Sequence, residues 1–517
     1  MVDCWSSMRI PFPERIKPWH AGAFAVILCT MEVLQGTPPL FSLCVFGYIM
    51  LATAAFNLAG GLYRASGAYV FANASLSLIL ALCIKVLIGE AADTNLRDPM
   101  VSIFVYLAGM GAILFAIVIS RFMIPAVALL DRTKVADDIR QIGVGCIATG
   151  ILLPLLAASM NTGQGSLGSA LNQFQQFIPL GLVLATYYEI TSSKGRSSMN
   201  GIILLGSIYV VLFGGIVGTS KAALFTPLAS YLVVCGALRY RLRLTAIAAL
   251  VAISFILFFF LVPYDQVVRI YMQDTTNFSE RWDASMYWLQ HIEEVRDTYN
   301  VMNVDIALSH GPHYYSEDRG ILERFGMIAM DDALINITDI NGTFGYQPMI
   351  VAVDDLVPHA IWANKPDYTY NNTYGHEIGV LATEDYTTSV SFGPSADAYH
   401  MGGWYGVLFL MPLVMTVLFI AVDSISGSIK NAPWGLAYTI FFLHAGPESS
   451  LGSCLDNAFI SSGILIVSVY LARYILPVIA NLFLPEQRRF RVLRNPRIIP
   501  KAVDLGLSDS ATDIHRP

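Results

Sequence analysis

Charge is what this chain has least of. Asp, Glu, Lys and Arg make up 13% of its 517 residues and hydrophobic side chains 55%, a balance that excludes an ordinary soluble domain and places it in the membrane class. Cysteine is scarce where it would matter most. Cys29, Cys44, Cys83, Cys146 and Cys235 lie in apolar runs, Cys4 and Cys454 near chain or run ends, and the polar stretch Pro263–His400 has none. Neither a disulfide framework nor a cysteine metal site is expected. Cations are the third shortage. In that stretch only Arg269, Arg281, Arg296, Arg319, Arg324 and Lys365 stand against many carboxylates, which excludes nucleic acid as a partner.

What is abundant is apolar length. Runs of roughly 17 to 25 residues, each able to cross about 30 Å of hydrocarbon as helix, occur at 19–35, 38–58, 66–89, 99–120, 141–160, 168–190, 200–218, 221–238, 243–262, 403–422, 434–448 and 458–482. The expected fold class is an all-α polytopic membrane protein with about twelve transmembrane helices. Its parts are an N-terminus (1–18), nine helices (19–262), one large, mostly helical outer loop (263–402), three helices (403–482) and a basic, disordered tail (483–517).

Orientation follows from Lys and Arg, which resist translocation near span ends. Arg9, Arg15 and Lys17, Arg64, Arg121 to Arg140, Lys194 and Arg196, Arg239 to Arg243, Lys430 and Arg488 to Arg497 fall in alternate loops. Both termini are thus expected in the cytoplasm, with the insert outside. The first apolar run lacks a small-residue cleavage site and reads as a retained span.

An external insert of this size is expected to carry the site. Its first part, 264–299, has helical spacing with Trp282, Met286, Leu289, Ile292 and Val295 on one face, an amphipathic pattern. Ser279 is positioned to cap a helix whose first turn holds Arg281, where an anion is favoured. The rival reading of Arg281 is an interfacial side chain reaching headgroups. His310 and His313 are three apart, but Gly311-Pro312 breaks the helix that would align them, so no metal is expected. The last part mixes aromatics with Asn, His, Asp and Gly, as a sugar surface does, although interfacial belts collect Trp and Tyr too.

Three stretches of that last part, Pro358–Pro366, Gly375–Gly379 and Pro394–Gly406, together with Gly218-Thr219-Ser220-Lys221, carry a family likeness. They resemble the distal outer loop and an outer helix start of bacterial polysaccharide repeat-unit polymerases. These are the Wzy-type O-antigen and exopolysaccharide polymerases, which share a GT-C architecture with O-antigen ligases. His359 stands where Arg is common in that group, Ala363 where Pro is, Asp397 where Glu is and His400 where Asn is. The motifs cover about a tenth of the chain.

The resemblance implies a metal-independent glycosyltransferase, without cofactor, in the bacterial cytoplasmic (inner) membrane. It would pass a growing glycan from undecaprenyl diphosphate to a lipid-linked repeat unit. A chain-length regulator and a flippase would be its protein partners, and membrane lipid its surroundings. Such chemistry needs cations for the diphosphate and a base for the acceptor hydroxyl. Arg281, Lys221, Arg269 and Lys365 are assigned to the diphosphate, each with an ordinary structural alternative. His376 leads as the base because imidazole titrates near neutral pH and Gly375 offers room for a sugar. Glu377 and Asp397 are its substitutes or orienters. His359, Trp362, Tyr374, His400 and Trp404 are assigned to sugar. Within the spans, Glu32, Lys85 and Glu189 are costly charges expected to face protein or water, and His444 and Glu448 share a helical face. The rival functions are an O-antigen ligase, a transporter or flippase of lipid-linked oligosaccharide, and a membrane subunit that docks a secretion complex.

Overall fold

A computed structural model describes residues 7–130, 139–159, 177–272, 275, 278–308, 311–316, 322, 325–357, 362, 370–381, 383–385 and 388–483. Almost everything described is helix, and the lone sheet pairs β1 (Ser7–Arg9) antiparallel with β2 (Arg241–Arg243). The helices in chain order begin with α1 (Pro18–Leu34), α2 (Pro39–Ala59), α3 (Ala65–Ile88), α4 (Pro99–Met123), α5 (Ile139–Ser159) and α6 (Phe177–Ser192). They continue with α7 (Gly201–Val217), α8 (Lys221–Ala237) and α9 (Leu244–Tyr271). The insert contributes α10 (Phe278–Gln290), α11 (Ile292–Leu308), α12 (Ile328–Asn341), α13 (Gln347–Asp355) and α14 (Tyr370–Glu377). After it come α15 (Pro394–Ser426), α16 (Gly435–Glu448), α17 (Leu451–Tyr474) and α18 (Leu476–Phe483).

Seven of these, α2, α3, α4, α5, α9, α15 and α17, are long and apolar enough to cross a membrane, and α1, α7 and α8 are shorter apolar helices. This is a multi-pass, all-helical membrane protein. Local signals set the helix ends. Asp98 accepts the Val101 N–H before Pro99 opens α4, Asn200 accepts from Ile202 and Ile203 to start α7, and Ser220 accepts from Ala223 to start α8. Gly60 and Gly89, both left-handed, end α2 and α3.

Three boundaries differ from the sequence expectation. α9 runs on to Tyr271 instead of ending near 262. The 264–299 stretch is not one helix, because α9 supplies its start and His291 separates α10 from α11. The apolar helix expected from 403 is preceded in the same element by Pro394–Met401, and the two halves meet at Gly402 and Gly403, whose torsions are non-helical (Gly403 φ 58°, ψ −142°). The break is sharp. In a straight helix Ala398 and Gly406 would be about 12 Å apart, whereas a Cβ on Gly406 would sit 1.8 Å from the Ala398 carbonyl oxygen.

The largest buried cluster joins α2, α3, α4 and α15 to α12, through Ile328, Leu334 and Ile335, and to Tyr314 and Phe392. The insert therefore shares its core with the span bundle. On the opposite side of the bundle the basic segments touch one another. Arg9 pairs with Arg241, Lys430 bonds Glu14, and buried Asp423 lies 3.4 Å from Arg121 and 3.9 Å from Arg64. Arg121 also donates to the Leu58 and Ala59 carbonyls that end α2, and Ser66 donates to both Asp423 oxygens.

Candidate functional site

A polar cavity of about 160 Å³ lies on the insert side, between α13 and α14 of the insert and the first turns of α15 and α17. Asp397, Tyr374, Tyr370, Asp355 and Asp456 supply its chemistry, with Ser450 and Ser453 beside them. Its lining among the described residues has no Lys, Arg or His.

Asp397 is at the floor because α15 begins at Pro394, which seats this carboxylate in the first turn. It is 2% exposed. Its Oδ2 accepts the Leu451 N–H at 2.7 Å and so ties α15 to the start of α17. Its Oδ1 is enclosed, and the Tyr374 hydroxyl is the donor that approaches it. Burial and the Asp397 carboxylate together hold the Tyr374 phenol far above its ordinary range.

A second group of polar residues adjoins Tyr374. The His400 ring meets the Tyr374 ring edge-on at 4.5 Å. Its Nδ1 is 2.8 Å from Thr338 Oγ1, and that hydroxyl spends its own proton on the Leu334 carbonyl. Thr338 can then only accept, so Nδ1 carries the hydrogen and Nε2 holds the lone pair. Nε2 faces Glu377 Oε2 at 3.1 Å, and partial burial raises the Glu377 carboxyl. His376, one residue earlier, points its Nε2 at the Asp385 carbonyl, 2.9 Å away. A carbonyl cannot donate, so Nε2 is protonated and any base function of His376 falls to Nδ1.

The structure thus brings together Tyr374, Asp397, His400 and Glu377, while the cations occupy another group of helices. Lys221, at the start of α8, lies 4.0 Å from the buried Asp265 of α9. Arg269 is exposed at the end of α9. Arg281 is half-buried in α10, with its Nε enclosed and lacking a hydrogen-bond partner among the described residues. α10 packs on α7 through Phe278 and Trp282, both against Phe213. Ser279 is inside α10, which opens at Phe278, so it is not the cap expected of it. Arg296 is spoken for by cation–π contact with Phe259 at 4.1 Å.

Other assignments change. The room at Gly375 is not left for a sugar: a Cβ there would meet Leu381 at 2.7 Å and Val390 at 2.8 Å, so the chain's own loop fills it. Trp404 lies beyond the Gly402–Gly403 break, 41% exposed on the apolar stretch of α15 and away from the cavity lining. His400 is 3% exposed, within a protein network and not on a sugar surface. Trp362 is exposed and also outside the lining. His359 and Lys365 lie outside the described residues, as do His310 and the His444 side chain.

Among the buried charges, Lys85 is satisfied by the Thr94 and Tyr314 carbonyls and by the Tyr314 ring at 4.0 Å. Half-buried Glu189 accepts from Asn200, and exposed Glu448 accepts from Ser391. Glu32 is fully buried, with neither oxygen hydrogen-bonded among the described residues. Tyr314 fixes the middle of the insert: its hydroxyl donates to the Ala92 carbonyl at 2.6 Å and its own carbonyl accepts from Asn95 as well as Lys85.

Asp355, Tyr370, Ser450, Ser453 and Asp456 are cavity residues that the sequence reading did not single out. A signal existed for Asp456, a carboxylate two residues before the apolar run 458–482, where an ionisable group near a span invites a functional reading. None existed for the serines.

The chain matches no protein-family model, no curated protein and no solved structure.

Proposed function

We propose that this chain is a multi-pass glycosyltransferase of the polysaccharide-polymerase kind, transferring a glycan from undecaprenyl diphosphate to a lipid-linked repeat unit. The observation that carries the reading is the cavity at the junction of insert and spans. It is polar, ringed by Tyr370, Tyr374 and carboxylates, and suited to hydroxyl groups and a pyranose face. In this reading Asp397 takes the proton from the acceptor hydroxyl. His400 and Glu377 hold Tyr374 in place, and Asp397 replaces His376 as the leading base. The enclosed Arg281 Nε, with Lys221, supports a diphosphate subsite on α8 and α10, where negative charge would be neutralised.

The twelve-span GT-C architecture and the placement in a bacterial inner membrane belong to the same proposal. So do cytoplasmic termini, which the clustering of basic loops opposite the insert supports. The test is complementation of a deletion strain, with surface glycan resolved on gels and the membrane level of each variant measured. Asp397→Asn and Arg281→Ala should each remove the ladder of repeats while the protein remains at normal level. A single added unit in place of a ladder would mark a ligase. A full ladder without the chain would end the proposal.

A further inference from the structure

We propose that the arginine face of the β1–β2 ribbon, with the apolar groove of α9 that continues from it, binds an anionic phospholipid. The inference stands on the membrane fold alone and does not depend on the glycosyl-transfer reading.

The ribbon collects positive charge on one side. Its register sets Ser7 against Arg243, Met8 against Leu242 and Arg9 against Arg241. Side chains alternate across a strand, and Leu242 is turned inward, 1% exposed in a cluster with Tyr231, Val234 and Cys235 of α8. Arg9, Arg241 and Arg243 therefore share the other face, and all three are exposed. Arg9 and Arg241 stand directly opposite each other, with Cβ atoms about 5 Å apart by ladder geometry, where like charges repel. None of the three has an ion-pair partner among the described residues. The described carboxylates on this side are engaged elsewhere, Glu14 with Lys430, Glu189 with Asn200 and Asp423 with Arg121 and Ser66. Guanidiniums held together without an acid between them attract an anion, and a phosphodiester matches their planar donor forks.

The adjoining helix selects a lipid over a soluble anion. α9 begins at Leu244, immediately after Arg243, and from Leu244 to Ile256 none of its residues is buried. One side of this stretch is a groove lined only by apolar side chains, with the small Ala248 and Ala252 set between Leu244, Val251 and Phe255. Over twelve residue steps the groove runs about 18 Å, slightly more than one leaflet of a hydrocarbon core about 30 Å thick. A phosphate on the arginines would thus have its acyl chain lying along α9. Neutralising Arg9 and Arg241 would hold β1 against β2, so the lipid would clamp the N-terminal segment to the connection between α8 and α9.

The experiment uses the full chain in detergent, titrated with phosphatidylglycerol, phosphatidylcholine and inorganic phosphate, with bound lipid read by native mass spectrometry and stability by the thermal midpoint. Phosphatidylglycerol should bind at least about tenfold more tightly than phosphatidylcholine and raise the midpoint, and inorganic phosphate should leave it unchanged. Arg9→Gln and Arg241→Gln should each weaken phosphatidylglycerol about fivefold, the worth of one cation at an anionic headgroup. In phosphatidylcholine both variants should match or exceed the wild-type midpoint, because the repulsion is gone. Ala248→Trp, which fills the groove, should weaken phosphatidylglycerol about tenfold with the lipid-free midpoint unchanged. Equal affinity for the two lipids, or undiminished phosphatidylglycerol binding after all three arginines are changed to Gln, would overturn the headgroup assignment. A midpoint raised as far by inorganic phosphate would overturn the lipid in favour of a soluble anion. Undiminished binding by Ala248→Trp would overturn the groove, and a lower midpoint for Arg9→Gln in phosphatidylcholine would overturn the repulsion on which the site rests.

Discussion

Replacing Asp331 by Asn should remove a fall in stability that wild type suffers as pH rises to neutral. This carboxylate is fully buried on the first turn of α12, accepting from the Tyr106 hydroxyl at 2.6 Å and the Gly393 N–H at 2.8 Å. Burial outweighs those two bonds and pushes its pKa up from 3.8 to about 7. Between those values the folded chain holds a proton that the unfolded chain has released. Stability is then fully present below about pH 4, falls as pH rises towards 7, and changes no further above it. The slope is about 1.4 kcal/mol per pH unit, so moving from pH 5 past pH 7 should cost the wild type roughly 3 kcal/mol from this group. Asparagine is neutral throughout, can accept the Gly393 N–H and can turn its amide towards Tyr106. Thermal midpoints of the detergent-purified protein at pH 5 and pH 8 read the effect. Asp331→Asn should gain on wild type at pH 8 relative to pH 5, and contributions common to both proteins cancel in the difference. Parallel pH profiles would refute the reasoning.

Three further outcomes follow from the packing. Asp332→Ala should cost about 3–6 kcal/mol, because the Arg97 and Asp98 N–H groups and the Ser102 hydroxyl would lose their buried acceptor; monodispersity of the purified protein would collapse, and a normal elution profile would contradict it. Asp423→Ala should cost about 2–3 kcal/mol, a figure lowered from that of a fully buried pair because Arg64 and Arg121 are partly exposed. Restoring a neutral partner in Asp423→Asn should recover part of the midpoint, through the Ser66 bonds. Tyr314→Phe should leave the Ala92 carbonyl unpaired at about 1–3 kcal/mol, measured as faster limited proteolysis of the insert, and unchanged cleavage would argue against the anchor.

The helical framework was legible because it is written locally. Apolar length marked every span segment, and Asn200 and Ser220 sit where caps belong. What joins the insert to the bundle was not legible, because it depends on contacts between distant positions. Asp332 accepts from the start of α4, more than two hundred residues away in sequence, and Asp397 accepts from the start of α17. Neither carries a local pattern. The same limit explains the site. Tyr374 and Asp397 were singled out for residue type and share the cavity, yet their common wall with Asp456 arises only when α14, α15 and α17 meet. His376 looked the better base in the sequence, since nothing there shows that a backbone carbonyl would fix its Nε2.

The burial of Tyr314 bears on how the insert can move. With its phenol lodged under Lys85 and bonded to the turn that links α3 and α4, this stretch cannot lift like a hinged cover. Any excursion would drag that turn along or extract an aromatic ring whole. Any opening of the insert would therefore leave this stretch in place and fall to elements that follow the anchor.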